Sequence, residues 1–167
     1  MMRPTHARIN RNALRSNIRT IRAQLAPMTS VMAIVKANCY GHGIEHCIPT
    51  MRDERIDFFG VATVEEGAEL RAFGVDGRVV VLPPPPSGQC EEFVHSDLEA
   101  MISDTASAEE LSGAAVALGR VVRVHLHVDS GMTRNGVCPD DALELARRIA
   151  ELPGLHIVGV ASHFATS

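Results

Sequence analysis

The sequence predicts an α/β fold of the TIM-type (β/α)8 barrel, of which the 167 residues would supply about the first six βα units. Three observations lead there. Short, nearly continuous apolar runs recur along the chain, the pattern of parallel strands buried on both faces. Stretches with helical apolar spacing separate them, so each crossover is a helix. Polar residues stand directly after strand upon strand (Lys36, the proline run after Leu82, Arg134, His163), which is where a barrel gathers its site. A doubly wound sheet fits the alternation too. It is disfavoured because Gly41-His42-Gly43 lacks the third glycine and the helix of a dinucleotide-binding turn.

Taken in order, Ala7-Arg8-Ile9-Asn10 is a short strand candidate. Asn12 is expected to cap a helix with Leu14, Ile18, Ile21 and Leu25 on one face, closed by Pro27. Val31 to Val35 is an apolar run of strand length, ending at Lys36. Ile44 to Arg55 reads as a weaker helix interrupted by Pro49. Phe58 to Ala62 is the second strand. Thr63-Val64-Glu65-Glu66 is a capping box opening a helix that runs to Phe73, with Gly74 ending it.

Arg78 to Leu82 is the third strand. Pro83 to Pro86 with Ser87-Gly88 can be neither helix nor central strand, so a stiff rim loop is expected rather than a domain linker. Glu99 to Ile102 is the fourth strand, Ser107 to Leu118 an alanine-rich helix, and Val121 to Val128 the fifth strand. A polar loop, Asp129 to Gly136, follows. Pro139 at a first helical position opens a helix with Leu143, Ala146, Ile149 and Ala150 facing inward. Leu155 to Ala161 is the sixth strand.

Composition bounds the function. A hydrophobic content of 46% suits one domain with a real core. A net charge of −4 offers no basic patch, so no nucleic-acid partner is expected. No apolar run approaches the ~18 residues of a membrane span. The start, Met1 to His6, lacks an apolar signal core, and a cytoplasmic location is expected. Cys39, Cys47, Cys90 and Cys138 form no CxxC pair and no zinc spacing. Reduced, mostly buried thiols are expected, except Cys39, which would lie in the site.

Lys36 carries the clearest chemistry. At the carboxyl end of a buried strand an amine loses hydration, and a neutral amine attacks carbonyls. Gly41 and Gly43 let the backbone turn and approach a ligand. His125 and His127, two apart on a strand, point to one side; with His163 they are a candidate metal set for a barrel hydrolase, although no carboxylate ligand is evident. His125 alone is expected to bond to neighbouring backbone, and Leu82, ending the third strand, reads as core.

Val35 to Gly43 resembles the lysine motif of the alanine racemase family, Val-Lys-Ala-Asn-x-Tyr-Gly-His-Gly, with Cys39 at the variable position. Val128 to Val137 resembles a second motif of that family, Lys-Met-Asp-Thr-Gly-Met-x-Arg-Leu-Gly, through Asp129, Gly131, Met132, Arg134 and Gly136. Ser162-His163-Phe164-Ala165 resembles a third, Thr-His-Phe-Ala. The resemblance covers Ala7 to Thr166. It implies a pyridoxal 5'-phosphate enzyme that interconverts L- and D-alanine for cell-wall D-alanine supply. It makes residues 1–167 the amino-terminal part of the cofactor-binding barrel, a truncated and inactive fragment without the carboxyl-terminal β domain.

By the same resemblance Lys36 is the catalytic residue and links to the cofactor as an imine. Tyr40 contacts the phosphate, Leu82 packs on the cofactor, and His163 lies against its ring. Arg134 contacts the phenolic oxygen and the substrate carboxylate, a task that suits a permanently charged planar group. Racemisation needs a base on each face of the α-carbon. The second, a tyrosine of a partner subunit in a homodimer, is absent here, since Tyr40 is the only tyrosine. Two departures stand out: His127 replaces an often carbamylated lysine that braces the arginine, and Asn135 replaces a leucine. An imidazole cannot play the carbamate's part, so Arg134 must be held by an anion or by Asn135. Both departures leave room for a broad-specificity racemase. A non-catalytic pyridoxal-phosphate barrel remains a further class, against which Tyr40 to Gly43 argues.

Overall fold

The computed structural model describes residues 6–166; most of the segment read for a leader lies outside them. Six parallel strands form one sheet in the order of the chain: β1 (Ala33–Ile34), β2 (Phe58–Val61), β3 (Arg78–Val81), β4 (Glu99–Ile102), β5 (Val122–Val128) and β6 (Leu155–Ser162). Every crossover advances by one strand and none reverses. That is barrel winding; a doubly wound sheet would have to switch direction. The sheet is therefore the arc of a partial α/β barrel.

The helices are α1 (Arg11–Ala23), a single turn α2 (Lys36–Tyr40), α3 (Ile44–Asp53), α4 (Val64–Ala72), α5 (Cys90–His95), α6 (Thr105–Ala117) and α7 (Ala142–Glu151), the last preceded by a 3-10 turn at Pro139–Asp141. Alternate strand residues Phe59, Val61, Val79, Val81, Ala100, Ile102, Val124 and Leu126 meet Leu70, Phe93, Leu111 and Ile149 of the helices in one buried cluster. Each such side chain contributes about 1.5–3 kcal/mol by leaving water. The other strand face looks into the barrel.

Several boundaries differ from the sequence reading. Ala7–Asn10 forms no strand. Asn10, not Asn12, caps α1 and accepts a bond from the Ala13 N–H at 3.0 Å, while Asn12 accepts from Arg15 instead. The first strand shrinks to Ala33–Ile34 because it pairs on one side only, with β2. Pro49 does not interrupt α3, which runs through it. α5 was not foreseen; six residues are too few to show a period. On α7 Ala146 and Ile149 face inward as read, joined by Leu145 and Ala142, whereas Leu143 and Ala150 are exposed.

Candidate active site

Lys36 opens the turn α2, and that turn is left-handed. Ala37, Asn38, Cys39 and Tyr40 all have positive φ, between 51° and 55°. In a residue with a Cβ this costs roughly 1–2 kcal/mol each, so a run of four persists only where its surroundings over-determine it. Here they do. The Cys39 N–H bonds to the Val35 carbonyl at 2.9 Å, and the Gly41 N–H to the Ala37 carbonyl at 2.8 Å. The Asn38 side chain accepts from the Ile44 N–H at 2.8 Å and so caps α3. The Ala37 N–H donates to the Glu66 carboxylate at 2.7 Å. Gly41, with φ of 80°, closes the turn. The outcome is that Lys36 and Tyr40 stand together, the Lys36 Nζ 6.0 Å from the centroid of the Tyr40 ring.

The five residues singled out by the motifs, Lys36, Tyr40, Leu82, Arg134 and His163, line one cavity of about 500 Å3. His127 and Asn135 line it as well, and Met32, Ile34, Met101 and Val160 supply apolar wall. Among the described residues none of its walls is acidic. The permanently or ordinarily charged side chains on its wall are Lys36 and Arg134, both basic, so it suits an anionic ligand with an apolar body.

The Arg134 loop is held by its own backbone. The Asp129 carboxylate accepts from the Gly131 N–H at 2.9 Å and the Thr133 N–H at 3.0 Å, and these bonds hold its carboxyl below the usual range. The loop closes where the Val137 N–H bonds to the His127 carbonyl at 2.8 Å. Gly136 is required there: φ is 111°, and a Cβ would sit 2.5 Å from the Asp129 nitrogen. The Ser162 hydroxyl donates to the Val128 carbonyl at 2.8 Å, pinning the β6 end that carries His163 to β5. Asn135 makes no bond to Arg134, so of the two holds considered for the arginine this one is not present. Arg134 makes no hydrogen bond or ion pair among the described residues, which leaves its guanidinium available to a ligand.

His125 and His127 both face the barrel interior but at different depths. His127 lies at the cavity, where burial and then the nearby charges of His163 and Arg134 lower its pKa. Its Nδ1 is buried without a partner. His125 does not bond to backbone; its Nε2 lies 2.8 Å from the Glu99 carboxylate, and its ring stacks near Phe58. The three histidines therefore do not converge, and no set of three His, Cys, Asp or Glu side chains among the described residues is placed to hold a metal. Cys39 is likewise not in the site. It is buried beside Cys47 in the neighbouring hollow between α1 and α3, and burial, then Cys47, pushes its thiol up to about 12.

Two residues escaped the sequence reading. Glu99, wholly buried, takes Arg78 at 2.7 Å and 2.8 Å and Arg123 at 2.7 Å besides His125. Only the barrel's layering, which brings the first residues of β3 and β4 beside the second residue of β5, signals that cluster. Glu66 was read as the return half of a capping box. The Thr63 cap is present, with the Glu66 N–H on its hydroxyl at 3.2 Å, but the Glu66 carboxylate goes to Ala37 and Ala62 instead.

The family model described as Alanine racemase, N-terminal domain, matches residues 9–167. The chain is 38% identical over 166 residues to the alanine racemase of Symbiobacterium thermophilum, covering 99% of this chain and 44% of that one. It is 35% identical over 167 residues to alanine racemase 2 of Caldanaerobacter subterraneus subsp. tengcongensis, covering 99% and 43%. The crystal structure of alanine racemase from the D-cycloserine-producing Streptomyces lavendulae superposes with a TM-score of 0.85 at 37% identity, over 93% of this chain and 41% of that chain. The chain thus spans less than half the length of the curated relatives it matches. By these matches it belongs to the family of alanine racemase amino-terminal domains.

Proposed function

We propose that the chain is the cofactor-bearing part of a pyridoxal 5'-phosphate-dependent amino-acid racemase that acts on alanine. The observation that carries this is the cavity itself, where one lysine amine stands with an unpaired guanidinium, a phenol and two imidazoles and no described wall is acidic. That donor set fits an aldehyde-bearing ring with anionic substituents. When bound, the cofactor supplies an electron-withdrawing ring that acidifies the α-hydrogen of an attached amino acid.

The chain's own side chains then have definite tasks. The Lys36 Nζ would hold the cofactor's aldehyde carbon, and its amine would take up or deliver a proton on one face of the substrate's α-carbon. The Tyr40 hydroxyl binds phosphate. Arg134 orients anionic oxygens, including the substrate carboxylate, as a fixed planar charge. Leu82 and His163 enclose the ring and exclude water. The opposite-face base is a tyrosine contributed by a second subunit, so the reading includes a homodimer. It also includes a cytoplasmic location, which the free thiols support; no helix among the described residues is long and apolar enough to cross a membrane.

His127 and Asn135 on the cavity wall favour a second reading, a racemase of broader range. The acid-free wall opposes cationic side chains within it. Racemisation assays on the cofactor-loaded full-length protein with alanine, serine, lysine and arginine decide. Alanine should be turned over, lysine and arginine poorly, and Lys36→Ala should abolish activity. No alanine turnover, or turnover that survives Lys36→Ala, rejects the proposal.

A further inference from the structure

We infer that Glu66 is a positioning residue for the reactive lysine, a role that rests on the function proposed above for Lys36. Its carboxylate spans two elements. Oε1 accepts from the Ala37 N–H at 2.7 Å, one residue past Lys36, and Oε2 accepts from the Ala62 N–H at 2.7 Å, one residue past β2.

Three features give that bridge its importance. The strand that delivers Lys36 is only two residues long and is paired on one side only, at Ala33 with Phe59 and Ile34 with Gly60. The Val35 N–H adds one bond to the Gly60 carbonyl at 2.8 Å, and there the backbone attachment of β1 to β2 stops. Beyond it, Glu66 continues the attachment through a side chain. Next, Ala37 is the first of the four left-handed residues, so the bond falls where the backbone changes hand and the strain begins. Finally, Glu66 is diverted from its local option: a capping-box glutamate returns to the amide of its own cap residue, whereas this one reaches across to the lysine turn. One carboxylate taking two backbone N–H groups makes two charge-assisted bonds, which are the strong kind.

No hydrogen bond or ion pair joins Glu66 to the Lys36 side chain, and Glu66 does not line the cavity; it acts by fixing the amide next to Lys36, and through it the direction in which the Nζ leaves the strand. A small misplacement of a reacting group is enough to cost a large factor in rate.

The test uses Glu66→Gln and Glu66→Ala in the full-length protein, read by amide hydrogen exchange, thermal melting and racemisation kinetics. Glu66→Gln replaces one acceptor by a donor and breaks one of the two bonds. Exchange in the peptide spanning residues 36–43 should quicken about tenfold, with the melting temperature nearly unchanged. For alanine, kcat should fall on the order of tenfold while KM stays within about twofold. Glu66→Ala should show the same pattern more strongly. Unchanged exchange in residues 36–43, or faster exchange spread over the whole chain with a collapsed melt in both variants, overturns the inference. The exchange arm needs neither cofactor nor turnover, so a protein that fails to racemise alanine defeats the proposed function and still leaves Glu66 decided.

Discussion

At the scale of single residues, His127 is the departure from the second motif with the largest chemical consequence. The lysine it replaces is one that carbon dioxide can modify; an imidazole between Arg134 and His163 has no such chemistry. Burial and those two neighbours hold it below its ordinary pKa, so near neutral pH it is an uncharged donor and acceptor. Activity of the full-length protein should therefore be indifferent to bicarbonate, and intact mass should show no carbamate. A bicarbonate requirement, or a mass increase matching a carbamate, would remove this account of His127. Arg134 follows from the same change. With no brace from Asn135 and no ion pair among the described residues, it is held by its loop, through Asp129 and Gly136.

At the scale of elements, β3, β4 and β5 are joined at their amino ends by one buried carboxylate. Burial would push the Glu99 carboxyl up. The hydrogen bonds from Arg78, His125 and Arg123 outweigh it and hold the group well below the usual carboxylate range. A depressed folded-state pKa gives stability that is fully present above the unfolded value, about 4.3, and is lost as pH falls through the folded one. Glu99→Ala removes the shared acceptor of two half-exposed arginines and a buried histidine and should cost about 1–3 kcal/mol near neutral pH. In denaturant titrations the gap from wild type should narrow below about pH 4; a gap independent of pH would contradict the assignment. This cluster was not legible beforehand, because an isolated glutamate at the head of an apolar strand says nothing of its lateral neighbours. The strands themselves were legible, since residues such as Val79–Val81 and Val124–Leu126 form runs buried on both faces. The left-handed turn was not: nothing in Ala37-Asn38-Cys39-Tyr40 favours positive φ except Asn38, and the conformation is imposed by Glu66, Ile44 and Gly41 from outside. That Lys36, Tyr40, Leu82, Arg134 and His163 gather at one cavity was foreshadowed by the motifs, but Cys39 was misassigned, lying instead beside Cys47 in the neighbouring hollow.

At the scale of the whole molecule, the sheet is an arc, and its last strand shows it. Along β6 the residues alternate half-buried and exposed; Val158 is 36% and Val160 72% exposed, and Phe164 just beyond is 82% exposed. Apolar surface of this kind, next to an edge free of any described partner strand, favours association. A polypeptide of residues 1–167 alone should therefore elute from size-exclusion chromatography as self-associated material; a monodisperse monomer with a cooperative melt would contradict this. Val160 also lines the cavity with Lys36, so the open edge of the arc and the site are one construction. The most direct test of that construction is chemical: load the full-length protein with pyridoxal phosphate, reduce it with borohydride, and map the labelled peptide. The pyridoxyl group should be found on Lys36; a label on any other lysine, or none, would contradict the reading of the cavity.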